Sequence, residues 1–144
     1  MTDHNTRSID RRIEACLDAG ASPILAAVVA VNPHDVGVSK NLADEKVKRA
    51  LDGAKNEQHA RNRLTEMREY GGDYFHALWE GELAEALYRA DGTNSKILMR
   101  TFSYEYMLAV LAADRGSVES ARSWLDPNIE RYGWPDQPRT VDES

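Results

Sequence analysis

What most limits the fold of this chain is the spacing of its apolar residues. They recur every three or four positions between short polar stops, and nowhere alternate as a strand would. Ile9, Ile13, Cys16 and Leu17 form the first stripe, opened by Ser8 as a cap and closed by Gly20. Ser22-Pro23 then places a capping hydroxyl and a first-turn proline ahead of residues 24–31, which are apolar on every side. The valines there also suit a strand, but the Ser-Pro start and the alanines favour a buried helix, stopped by Asn32-Pro33.

Residues 33–41 read as a loop, and Asn41 with Asp44 opens a polar segment over 42–70. Ala43, Val47, Ala50 and Ala54 make one stripe; Ala60, Leu64 and Met67 make another with a different phase. The change falls near Asp52-Gly53, so the helix either breaks there or changes packing partners. Gly71-Gly72 is punctuation, with Asp73 as the next cap. Phe75, Trp79, Leu83, Ala86 and Ala90 predict a helix over 73–90, ended by Asp91-Gly92. Residues 95–115 hold Ile97, Leu98, Phe102, Tyr106, Ala109, Val110 and Ala113 with little polar face, which predicts a central helix antiparallel to the one before. Gly116 ends it, Ser117 caps a short helix through Leu125, and Asp126-Pro127 restarts a last turn with Ile129 and Tyr132. The expected class is all-α: a compact bundle of five or six helices. Residues 8–134 form one domain between a flexible arm (1–7) and a flexible polar tail (135–144).

Composition removes several functions. The run at 24–31 is too short to span a bilayer, which needs about 20 apolar residues. The polar start MTDHNTRSIDRR lacks the apolar stretch of a signal peptide, so a cytoplasmic protein, or one carried inside a virion, is expected. The single cysteine, Cys16, allows no intrachain disulfide and no cysteine-based zinc site. With 18 basic and 24 acidic residues the net charge is −6, which disfavours nucleic acid and anionic membranes as partners. A helical nucleic-acid binder remains a third reading because 42–70 gathers Lys46, Lys48, Arg49, Lys55, Arg61, Arg63 and Arg68. Acids are interleaved among them, and no stacking aromatics are.

One internal echo stands out. Gly81, Leu83, Ala86 and Asp91 are matched 35 positions later by Gly116, Val118, Ala121 and Asp126. A glycine permits a tight turn between antiparallel helices, and an alanine permits their close approach. The G-x-[LV]-x-x-A pattern resembles tetratricopeptide hairpins over about residues 70–127. That likeness implies antiparallel hairpins in the C-terminal half and a peptide-binding groove.

Two constellations carry possible chemistry. Asp73, His76 and Glu80 lie on adjacent turns of one helix, so a metal would need one more ligand from elsewhere. The plainer reading is a cap followed by a solvated face, with no metal. The pairs Glu66-x-x-Glu69 and Glu82-x-x-Glu85 each share a helix face. The run ELAEALY at 82–88 resembles the second motif of all-α MazG-type nucleotide pyrophosphohydrolases, although Glu85 stands where that family has Asp. The resemblance implies Mg²⁺ held by Glu66, Glu69, Glu82 and Glu85 over a nucleotide phosphate.

No nucleophile elbow or phosphate-binding glycine loop is present, and Cys16 lies on an apolar stripe. The sequence therefore reads first as a non-enzymatic interaction or assembly protein without a cofactor: an adaptor, a scaffold, a virion component or an inhibitor of a larger machine. Tyr70, Tyr74, Tyr132 and Trp134 are its candidate contact residues, because aromatic anchors dominate interfaces. The apolar run over 97–113 has few helices available to cover it, which predicts a homo-oligomer or an obligate protein partner.

Overall fold

A computed structural model describes residues 8–132. The arm 1–7, Trp134 and the tail 135–144 lie outside the described residues. Among the described residues there are nine α-helices, one 3₁₀ turn and no strand. The helices are α1 (Ile9–Asp18), α2 (Pro23–Val29), α3 (Leu42–Asp52), α4 (Glu57–Tyr70), α5 (Asp73–Glu80), α6 (Leu83–Arg89), α7 (Gly92–Thr101), α8 (Tyr104–Arg115) and α9 (Val118–Tyr132). The 3₁₀ turn (Pro33–Val36) lies inside the segment read as a loop.

The all-α expectation holds, but the helix count rises because the predicted helices over 73–90 and 95–115 each divide and segment 42–70 takes the first of its two readings, a break. Segment 42–70 divides at 53–56, where Gly53 ends α3 and the Asn56 side chain caps α4. Segment 73–90 divides at Gly81, whose φ of 79° is left-handed and costs glycine little. Segment 95–115 divides at Ser103, whose hydroxyl accepts from the Tyr106 amide and starts α8. At the C-terminal end two predicted pieces instead fuse, since α9 runs through Pro127 and gives up one backbone hydrogen bond there. Asp73 is not a cap: Gly72 holds that position without a side-chain bond.

The central helix is α2 rather than 95–115. It packs on α1, α3, α5 and α7, burying Leu25, Ala26, Val28 and Val29. Ser22 ties its start to α5, its hydroxyl donating to the Leu78 carbonyl at 2.7 Å and its amide to Trp79 at 2.9 Å. Asn41 ties its end to α3. The Asn41 amide donates to the carbonyls of Val28 and Val31 at 2.8 and 3.0 Å, while its oxygen accepts from the Asp44 amide. One side chain thus satisfies orphan groups at two helix ends.

On α1 the buried face is Arg12, Ala15 and Cys16, which leaves Ile9 and Leu17 exposed. The stripe is rotated so that Cys16 stays buried while its two ends face outward, because Arg12 points in, forming a two-pronged ion pair with Asp44 of α3 at 2.6 and 3.1 Å. Both side chains are under a tenth exposed. A second arginine closes α3: Arg63 donates to the carbonyls of Ala50 and Arg49.

Candidate functional site

The acidic candidates do not assemble. Among the described residues no three His, Cys, Asp or Glu side chains are placed to share a metal ion. Glu66 and Glu69 lie on α4, whereas Glu82 precedes α6 and Glu85 lies within it. Two of the four are held by cations: Arg68 holds Glu69 at 2.7 Å, and Arg89 holds Glu85 at 2.6 Å. The triad over α5 is divided in the same way. Glu80 is held by Arg68 at 2.6 Å, with His76 3.5 Å away, while Asp73 faces Arg89 at 3.2 Å.

Four of the seven basic residues of 42–70 are engaged by the protein's own groups, while Arg49 and Lys55 are exposed. Lys48 pairs with Asp44 and Glu45, Arg61 bonds Gln58, and Arg63 and Arg68 are engaged as above. Cys16 is fully buried, and burial, with Asp44 adding to it, pushes its thiol up to about 12. A thiol so disposed is a poor nucleophile at neutral pH. The clefts are small and open. The basic one, about 300 Å³, is lined by Lys96, Arg131, Tyr132 and the start of α7.

The aromatic candidates separate. Tyr70 is 85% exposed at the end of α4, and Tyr132 is half-buried against Gly92. Tyr74 lies inside the fold, where its hydroxyl has no hydrogen-bond partner among the described residues; burial raises its pKa. It has no surface with which to meet a partner.

The feature that does stand out is the outer side of α8. This helix packs on α6 and α9 and buries only Met107 and Leu111. Tyr88 of α6 and Tyr104 fasten its two flanks, donating to Asp114 and Asp126 at 2.8 and 2.9 Å. On the opposite side Tyr106, Ala109, Val110 and Ala113 fall within an arc of about 100° at 100° per residue. Phe102, at the junction before the helix, stacks on Tyr106 with ring centroids 5.6 Å apart. Tyr106 is 47% exposed, Ala109 and Ala113 are exposed, and Phe102 and Val110 are half-buried. No charged residue interrupts the face, and Val118, 45% exposed, follows just beyond its C-terminal end.

The face was legible as an apolar run, but not as a surface. The signal that would have revealed it is Ser103, a capping residue inside an apolar stretch. Glycines 81 and 116 both adopt left-handed turns between packed helices, and Ala86 and Ala121 are fully buried behind them. The two hairpins are not consecutive, since α7 stands between them. No helix among the described residues is long and apolar enough to cross a membrane. No family model, curated protein or solved structure matches the chain.

Proposed function

We propose that the chain is a non-enzymatic protein–protein interaction or assembly protein, and that it docks through the outer face of α8. The observation that carries this reading is that Tyr106, Ala109 and Ala113 are apolar and open to water along one side of α8, flanked by half-buried Phe102 and Val110, which also pack against the core. A contiguous patch of this kind on a soluble domain marks an interaction surface. Tyr106 is its natural anchor, since tyrosine offers large contact area at low conformational cost.

The hairpins about Gly81 and Gly116 form the edge that displays this helix, rather than a tetratricopeptide groove, because α7 separates them. The arginine pairing of Glu69 and Glu85 gives the hydrolase reading nothing to build on. Replacing Tyr106 with a photo-crosslinking phenylalanine analogue in growing cells tests the proposal. A discrete adduct from position 106, absent from the same analogue at exposed Asn62 on α4, is the expected result. No adduct from 106, or equal labelling from both positions, would refute it.

A further inference from the structure

We propose that the outer side of α1 is a second docking surface, one that takes a basic amphipathic segment of another protein. The helix repeats one pair of residue types, Ile9-Asp10, Ile13-Glu14 and Leu17-Asp18, at a spacing of four. That spacing draws the three apolar side chains into one row and the three acids into a second, about 100° around the helix from the first. Ile9 is 43% exposed, Leu17 is 46% exposed and Ile13 is half-buried, while Asp10, Glu14 and Asp18 are all exposed. None of the three apolar residues belongs to the core cluster or to the side chains packed against it. Among the described residues none of the three acids has an ion-pair partner, since Arg11 is taken by Glu57 and Arg12 by Asp44.

The fold does not account for this pattern. Like charges four residues apart weaken a helix, and α1 contains two such steps. An acid at a helix C-terminus opposes the helix dipole, and Asp18 is the last residue of α1. Among the described residues the other five helices of ten residues or more each carry an arginine in the last turn, whereas α1 carries no base there. The inward side of α1 is made by Arg12, Ala15 and Cys16, so the paired rows add nothing to the core.

Charge complementarity names the occupant. Carboxylates running beside apolar side chains are met by lysines or arginines running beside apolar side chains, the pattern of an amphipathic helix with one basic edge. Anionic lipid and nucleic acid are repelled by the same row. A second copy is disfavoured as well, because a two-fold axis between antiparallel α1 helices sets each acidic row against its own image. The surface does not depend on the α8 face: α1 packs on α2, α3 and α4, and α8 packs on α6 and α9.

The test titrates the purified full chain into a fluorescent synthetic peptide, a leucine–lysine amphipathic helix with its lysines along one edge, and into a peptide of the same composition in scrambled order. Anisotropy should show binding of the patterned peptide. The triple variant Asp10→Asn, Glu14→Gln, Asp18→Asn should weaken it at least about tenfold, and so should Leu17→Ser, while Tyr106→Glu leaves it unchanged. Circular dichroism melting is the second readout. The triple variant should melt no lower than the wild-type chain, because it removes like charges; a fall of several degrees would assign the acids to the fold and overturn the proposal. If Leu17→Ser fails to fold, Ile9→Ser decides. No binding, equal binding of the scrambled peptide, or binding that survives either α1 variant overturns it. A loss with Tyr106→Glu instead moves the peptide to α8 and also overturns it. A photo-crosslinking phenylalanine analogue at position 17 then identifies the contact. An adduct to the peptide supports the proposal, whereas an adduct to residues 1–7 of the same chain, or to a second copy, overturns it.

Discussion

Removing one partner of the Arg12–Asp44 pair should be among the most damaging single changes in this protein. The pair joins α1 to α3, both side chains are under a tenth exposed, and the guanidinium meets the carboxylate through two bonds. Breaking such a pair strands a charge in a poorly solvated site, which costs about 3–5 kcal/mol. That is a large part of the roughly 5–15 kcal/mol by which a domain is stable. The two halves are not equivalent. In Arg12→Ala, Asp44 keeps Lys48, whose Nζ lies 3.6 Å from Oδ2. In Asp44→Ala, Arg12 loses both of the side-chain bonds described above. Arg12→Ala should therefore cost about 3 kcal/mol and Asp44→Ala about 5 kcal/mol, the two ends of that range.

Urea unfolding followed by circular dichroism measures both. With a slope near 2 kcal/mol per molar, the Arg12→Ala midpoint should fall by about 1.5 M. The double variant Arg12→Met, Asp44→Leu should recover most of the loss, because it removes the charges and keeps apolar bulk. The reasoning fails if Arg12→Ala costs under about 1 kcal/mol, the worth of an exposed pair. It fails equally if Asp44→Ala proves the milder change.

Asn41→Ala removes a buried helix cap and takes a bond from the Val31 carbonyl, while the Val28 carbonyl keeps the Val31 amide, so chemical denaturation should show a loss of about 2 kcal/mol; Asn56→Ala, a cap at an exposed site, should lose about 1. Tyr74→Phe deletes a buried hydroxyl that has no partner among the described residues and should leave the melting temperature unchanged or higher, a fall of several degrees being the contrary result. The Cys16 thiol is raised from 9.0 to about 12 in the folded chain, so the unfolded chain loses this proton first as pH rises. Stability that is complete below pH 9 should therefore decline between 9 and 12, by at most about 1.4 kcal/mol per pH unit for this group, and Cys16→Ala should flatten urea midpoints across that window. Ala113→Gln should change monomer stability by less than about 0.5 kcal/mol in dilute urea titrations, as expected for a surface position, whereas Tyr106→Gln should cost about 1 kcal/mol because it removes the stack on Phe102.

The sequence revealed the helical class because local signals were strong and mutually consistent. Ser8, Ser22 and Asn41 each cap the helix expected of them, and the buried set Ala43, Val47 and Ala50 is the stripe read from spacing. Periodicity failed where one helix hands its stripe to the next without a change of composition. Residues 73–90 and 95–115 stay apolar through Gly81 and Ser103, so the stripe hides the turn. On α1 the rule that charge points outward failed, because Arg12 finds its carboxylate 32 positions away, beyond the reach of any local pattern. The carboxylate pairs show the reverse. Their spacing was correct for one helix face, but Glu69 and Glu85 pair with Arg68 and Arg89, one and four residues along the same helix, a local pairing that the spacing already contained and that a reading of carboxylates alone passes over.

The turn at Ser103 also explains why an apolar face ends up in water. A straight helix over 95–115 would have carried its whole apolar surface through the middle of the bundle. The turn instead divides the work. α7 takes the interior, burying Ile97, Leu98 and Met99 to within 1%, and α8 is set at the edge against α6 and α9. An edge helix needs one apolar side. Met107 and Leu111 provide it, and Leu108 packs beside them. Val110 packs against the core as well, but Tyr106, Ala109 and Ala113 do not, and polar residues at those three positions would satisfy the helix equally. By contrast α4, with Ala60 and Leu64 as its buried residues, is polar away from the core except at Tyr70 at its last position. The same fold therefore contains one helix patterned for water and another that is not, and the difference is what a partner surface requires.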